Sequence, residues 1–285
     1  MNTTFNSGIY SSTPSDVLEL FCGSEEILLK TTVISAHPDD EIIGASSRLP
    51  ILKNVYIIHT TDGAPRNNID ARATGFNSNL DYARARRQEL YRALEIAGIP
   101  PDRCLEMGFK DQETSFNLIP LSERLEEVLR ELRPEIILTH AYEGGHPDHD
   151  STAFAVHLAA SSIYGKGFAP PVLIEFTSYH DSHGQIRTSE FLSDPDERTC
   201  TIVLSEEERI TKKRMLDCFL TQKNVLSVFN IEKEAFRFAP FYDFLKPPHA
   251  GTLYYEHFDW GIKGENWRRF ASEALDFLAD KTNGQ

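Results

Sequence analysis

The chain has 285 residues, with 29 Lys and Arg against 43 Asp and Glu and 40% hydrophobic residues, enough to bury a continuous core. A formal net charge of −14 excludes nucleic acid or an anionic membrane surface as the main partner. No apolar run reaches the ~20 residues of a membrane span. Met1–Leu20 lacks a basic segment followed by an apolar block, so no secretory leader is expected. Four scattered cysteines, Cys22, Cys104, Cys200 and Cys218, form no CxxC and are expected as reduced thiols of a cytoplasmic protein.

Residues 1–26 read as an N-terminal arm, its first half rich in Ser, Thr and Asn, ahead of one domain over 27–285. Leu28–Ser35 (LLKTTVIS) predicts a strand, followed by a short helix over 40–49 and a second strand at Val55–Thr60. After a long polar loop, a helix is expected over Asp81–Ala97, with Asp81 as cap and Gly98 as the residue beyond its end. Cys104–Met107 predicts a short strand, Leu121–Leu132 a helix stopped by Pro134, and Glu135–Thr139 another strand. A helix over 151–163 and a strand at Val172–Thr177 follow. This alternation predicts βαβ units and an α/β fold with a doubly wound, Rossmann-like, mostly parallel sheet. The last third changes character. A strand at Cys200–Leu204 precedes a capping box, Ser205 to Glu208, that opens a helix to about Leu220. An aromatic, turn-rich stretch over 224–263 and a closing helix at Trp267–Leu278 complete a C-terminal elaboration.

The chemistry concentrates in two segments. Ala36-His37-Pro38-Asp39-Asp40-Glu41 directly follows the first strand, where parallel sheets open into a ligand crevice. Three carboxylates and an imidazole in five residues repel or compete unless a cation holds them. An acidic helix N-terminus explains the acids but leaves His37 and Pro38 without a reason. Gly144-Gly145-His146-Pro147-Asp148-His149-Asp150 stands at the matching place after the strand Glu135–Thr139. A catalytic zinc takes three protein ligands and keeps a position for water. His37, Asp40 and one histidine of the second segment supply such a set for one ion per chain, with other divalent transition metals admissible.

The two segments resemble the paired signatures of the PIG-L/LmbE-like zinc-dependent deacetylases. Thr60-Thr61-Asp62-Gly63 and Arg86-Arg87-Gln88-Glu89 add to the resemblance, which covers roughly residues 28–160. It implies zinc held by His37, Asp40 and His149, with Asp39 as the general base acting on metal-activated water. His146 would stabilise the oxyanion as an imidazolium or protonate the leaving amine, held in its tautomer and charge state by Asp148. Arg86 would bind substrate, with Glu89 one turn on orienting the guanidinium. Asp62 departs from the family pattern, which leaves the role of its loop open.

The reading is therefore removal of an N-acetyl or other N-acyl group from an amino sugar or glycoconjugate, a small-molecule substrate, with a homo-oligomer left open. A metal-dependent phosphoesterase would want two ions ~3.5–4 Å apart, whereas ligands for one are counted. A nonenzymatic carbohydrate-binding module has no use for Asp39, and a dinucleotide site lacks its G-x-G-x-x-G. Ser46-Ser47 and Ser161-Ser162 read as helix surface rather than nucleophiles. His59 and His140 are expected as hydrogen-bonded core histidines, and Tyr179 to His183 as a border of the pocket. The aromatics between Phe236 and Tyr255 are expected mainly in the core, with one or two free to stack on a sugar.

Overall fold

The apolar runs of the first half become the middle of a sheet. In the computed structural model, which describes residues 14–165, 169–192 and 199–283, the strands are β1 (Thr31–Ser35), β2 (Val55–Thr61), β3 (Cys104–Phe109), β4 (Ile136–His140), β5 (Val172–Phe176), β6 (Tyr179–Ser182), β7 (Gln185–Thr188), β8 (Thr199–Val203) and β9 (Lys233–Phe238). Among the described residues, seven of them form one sheet in the order β3-β2-β1-β4-β5-β9-β8, and β6-β7 is a separate hairpin. The first five in that order pair in parallel, while β9 joins β5 and β8 joins β9 antiparallel. The chain runs outward from β1 to β3, then crosses to β4 on the other side of β1, so the direction of winding reverses between β1 and β4.

The helices are α1 (Pro14–Cys22), α2 (Asp40–Ala45), α3 (Ile69–Ala73), α4 (Asn79–Ile96), α5 (Leu118–Leu132), α6 (Pro147–Gly165), α7 (Glu206–Leu216), α8 (Lys223–Leu226) and α9 (Gly264–Asn283). Successive strand side chains point to opposite faces, and the core divides accordingly. Val33, Ile57 and Ile136 join one apolar cluster with residues of α1, α2, α4 and α7. Ile34, Ile58 and Ile137 join another with Leu121, Leu125 and Leu129 of α5 and Val156 of α6. Helices thus cover both faces, as the alternating pattern requires. A third cluster packs Trp267 and Ala271 of α9 against Phe154 of α6.

Several expectations are corrected. From Pro14 the expected arm is a helix whose Phe21 is fully buried in the core, while residues 1–13 lie outside the described residues. Leu28 is exposed, and the first strand starts at Thr31. The cap of α4 is Ser78, whose Oγ accepts from the Asp81 N–H at 3.1 Å; Asp81 stands in the first turn. Helix α5 begins at Leu118 and holds Pro120 in its first turn, where the missing N–H has no partner to lose. Cys22 and Cys200, expected as thiols, form a disulfide with Cα atoms 6.6 Å apart, because α1 lies against β8; Cys104 and Cys218 are free. Ser46 and Ser47 are buried rather than on the surface, both donating to Glu234.

Candidate metal centre and active site

The two motif segments leave adjacent parallel strands at the reversal point. His37 follows β1, Asp40 opens α2, and His149 stands in the first turn of α6, which begins inside the second motif at Pro147. His37 Nδ1 lies 3.3 Å from Asp40 Oδ2, His149 Nε2 lies 3.2 Å from Asp40 Oδ1, and the two nitrogens are 3.2 Å apart. Ligands bonded at ~2.0–2.1 Å around a tetrahedral ion are separated by roughly 3.3–3.4 Å, so this donor set fits a single divalent cation. All three residues are buried. His140, at the end of β4, is also present: its Nε2 is 3.3 Å from Asp40 Oδ2, and its ring stacks on His149 at 4.0 Å. It is hydrogen-bonded to Ala36 N–H and Ser178 Oγ, and burial and His149 push it down to about 3. His140 is therefore both a satisfied core histidine and a neutral support for the donors. Burial works against the Asp40 charge, but His149, His140 and His37 outweigh it and hold this carboxyl well below the usual range.

Asp39 is at the N-cap of α2, yet its side chain makes no capping bond. It accepts instead from Arg86 Nη2 at 2.8 Å. Burial pushes its carboxyl up to about 6 against the pull of Arg86, which suits proton transfer near neutrality. The expected Arg86–Glu89 partnership is not formed. Glu89 accepts from the backbone N–H and hydroxyl of Thr221, while Arg86 Nη1 donates to the Gly63 carbonyl and Nε has no partner among the described residues. A Cβ on Gly63, where φ is +65°, would sit 2.3 Å from Arg86. The loop therefore supplies a glycine seat for Arg86, and Asp62 turns away to pair with Lys110.

His146 Nδ1 accepts from the backbone N–H of Asp148 at 3.1 Å, leaving the proton of the neutral ring on Nε2. The carboxylate of Asp148 approaches His146 Nδ1 only to 3.9 Å. Its oxygens accept from the N–H groups of Gln112 and Thr114 and from the Thr114 hydroxyl. Burial and the neighbouring His37 lower His146 well below its ordinary value. Asp111, which no motif marks, faces His37 Nε2 at 3.2 Å. Donor atoms of His37, Asp111, His146 and Asp148 also lie within 4.8 Å of one another, but the oxygens of Asp148 are already occupied by hydrogen bonds and His37 is shared with the first set. Asp40, His140 and His149 make a further such group, as do His37, His146 and His149.

An α/β sheet with a histidine–aspartate cluster between its central strands defines the class, the LmbE-like fold. The zinc-inhibited form of teicoplanin deacetylase Orf2 shares it at a TM-score of 0.58 and 16% identity, over 73% of this chain and 97% of that one. The A40926 pseudoaglycone deacetylase Dbv21 does so at 0.56 and 21%, over 74% and 97%. GalB, the 4-carboxy-2-hydroxymuconate hydratase of Pseudomonas putida KT2440, does so at 0.50 and 18%, over 75% and 98%. Residues 32–160 match the family model PIG-L, GlcNAc-PI de-N-acetylase. Both motif segments fall inside the matched residues. Among the described residues no helix is long and apolar enough to cross a membrane.

Proposed function

We propose that the chain is a metal-dependent amide hydrolase that removes an N-acetyl group from an amino sugar or glycoconjugate. The observation that carries this reading is the convergence of three cation donors beside a buried aspartate that does not cap its helix. His37, Asp40 and His149 hold one divalent cation. Zinc is the expected ion, and iron, cobalt and manganese suit the same donors. When bound, the ion polarises the amide carbonyl and makes water acidic enough to ionise near neutral pH. Asp39 takes the proton of the attacking water, and Arg86 keeps its carboxylate aimed and available. His146 donates from Nε2 to the carbonyl oxygen as that oxygen gains charge. Asp148 fixes the donating tautomer through its backbone N–H and ties the motif to the 112–114 loop through its carboxylate. The proton held by Asp39 then goes to the departing nitrogen.

Fold alone does not choose the reaction, since a hydratase shares it. The test is acetate and free-amine release from N-acetyl sugars by the protein loaded in turn with zinc, cobalt, manganese and iron. Zinc is described as inhibitory in one teicoplanin deacetylase structure, which makes the comparison of ions necessary. Elemental analysis should find metal lost in His37→Ala, Asp40→Ala and His149→Ala. Asp39→Asn should keep the metal and lose at least ~10²-fold in kcat. Full metal content in all three ligand variants would sink the site, and absence of acetate from every substrate and ion would sink the reaction.

A further inference from the structure

Aromatic residues beyond the motif segments close on the centre as a ring of contacts. Tyr179 meets His149 edge-on with ring centroids 5.4 Å apart, and Tyr254 meets Tyr179 at 5.4 Å. Phe258 meets Tyr254 at 5.3 Å, and Trp260 stacks on Phe258 at 4.6 Å with only 11° between the planes. Trp260 then reaches His146 at 4.7 Å, and His146 faces His149 at 5.3 Å. The circuit begins and ends on two histidines of the second motif. Packing does not consume it: Phe258 is 38% exposed, and Tyr179, Tyr254 and Trp260 are half-buried.

The two glycines ahead of His146 are fitted to this ring. A Cβ on Gly145 would lie 1.9 Å from the Tyr179 carbonyl oxygen, and one on Gly144 would lie 2.7 Å from Leu253. Tyr254 N–H also donates to the Gly144 carbonyl at 2.9 Å. The aromatic segment is thus pinned to the loop that carries His146. Of the charges beside it, Asp259 is exposed, His257 binds Asp181 at 3.0 Å, and Lys263 donates to the Glu256 carbonyl.

We propose that Tyr179, Tyr254, Phe258 and Trp260 form an aromatic collar that receives the uncharged sugar ring bearing the acylamino group, with Phe258, the exposed member, as the stacking surface. Aromatic faces pack against the C–H face of a pyranose, while tyrosine hydroxyls meet its polar edge. The acidic surroundings disfavour an anionic sugar. The choice of sugar rests on the deacetylase reading, but ring binding is measured without turnover.

The chain has two tryptophans. Trp267 is fully buried and donates to Ser151, so Trp260 is the reporter. Titration with N-acetylglucosamine should change tryptophan emission saturably in the metal-loaded protein, and the change should vanish in Trp260→Phe. Phe258→Ala, at an exposed position that touches no motif residue, should raise the half-saturation and the KM by about five-fold, ~1 kcal/mol, with kcat and melting temperature held. N-acetylglucosamine 6-phosphate should bind weaker than the neutral sugar by a similar factor. Unchanged emission in the parent, or unchanged half-saturation in Phe258→Ala, overturns the collar. Saturable emission without acetate release overturns the deacetylase reading and leaves the collar standing.

Discussion

Arg86 is held by two groups that its own helix does not supply. Nη2 reaches Asp39 from 47 positions away, and Nη1 reaches a carbonyl whose residue must be glycine. Arg86→Ala should therefore behave as a defect in the base, lowering kcat/KM at least ten-fold, about 1.4 kcal/mol, with metal content unchanged. Gly63→Ala should reproduce it by pushing the guanidinium off its seat. Arg84, which is exposed, is the proper control and should be kinetically silent; Arg87 is not, since it is buried and pairs with Glu106. Equal losses for Arg84 and Arg86 would show a diffuse charge effect instead. The motifs made the meeting of His37, Asp40 and His149 legible, because a strand-end motif repeated after two strands names its own geometry. They left the partner of Arg86 hidden: Glu89 is near in sequence, while Asp39 is near in space. Asp111 was hidden for a related reason. It stands alone past the end of β3, and only its place at the same sheet edge as both motifs could have marked it.

Helix α2 presents Asp40 and Glu41 yet has six residues, too few to hold itself. It is fastened from behind. Lys212 of α7 donates to the Ile43 carbonyl at 2.6 Å and to Glu234 of β9 at 2.9 Å, and Glu234 accepts from Ser46 and Ser47. Lys212 and Glu234 are buried, so Lys212→Met should cost about 3–5 kcal/mol by stranding the carboxylate, read as a lower midpoint in urea. Burial opposes the Glu234 charge, but Lys212 outweighs it and holds the carboxyl below its ordinary value. The folded pKa lies below the unfolded one, so this stability is present above pH ~4.3 and is lost as the pH falls below it. Melting temperature should fall in that acidic range, and Glu234→Gln should lose that part of the slope. An unaltered slope would place the acid sensitivity elsewhere. The parallel strands and α4, α5 and α7 were legible because their apolar spacing is local, and α7 also because its Ser205–Glu208 capping box is. Strand β9 was not: KEAFRF sits in an aromatic, turn-rich stretch and becomes a strand by pairing with β5 and β8. The β6-β7 hairpin escaped similarly, in a segment marked only as a border of the pocket.

The first half of the winding, β1 to β3, delivers His37 and Asp40; the second half, through β4 and α6, delivers His149. On the proposed function, a cation bound by all three would join the two halves at the seam. Anything that binds the folded state alone stabilises it, by ~2.7 kcal/mol at a hundred times Kd. Chelation should accordingly lower the melting temperature by several degrees in the parent and hardly at all in His149→Ala, and an equal drop in both would separate the ion from the seam. The Cys22–Cys200 bond acts on a longer length of chain. It spans 178 positions and encloses the whole of residues 32–160. In the chain-entropy account a loop of that length is worth about 5 kcal/mol against the unfolded chain. Both motifs, the arginine seat and the sheet seam thus lie on one covalent hoop. A protease that cuts anywhere inside it leaves two fragments still tethered, separable on a denaturing gel only after reduction, so a backbone break within the hoop does not by itself release either half.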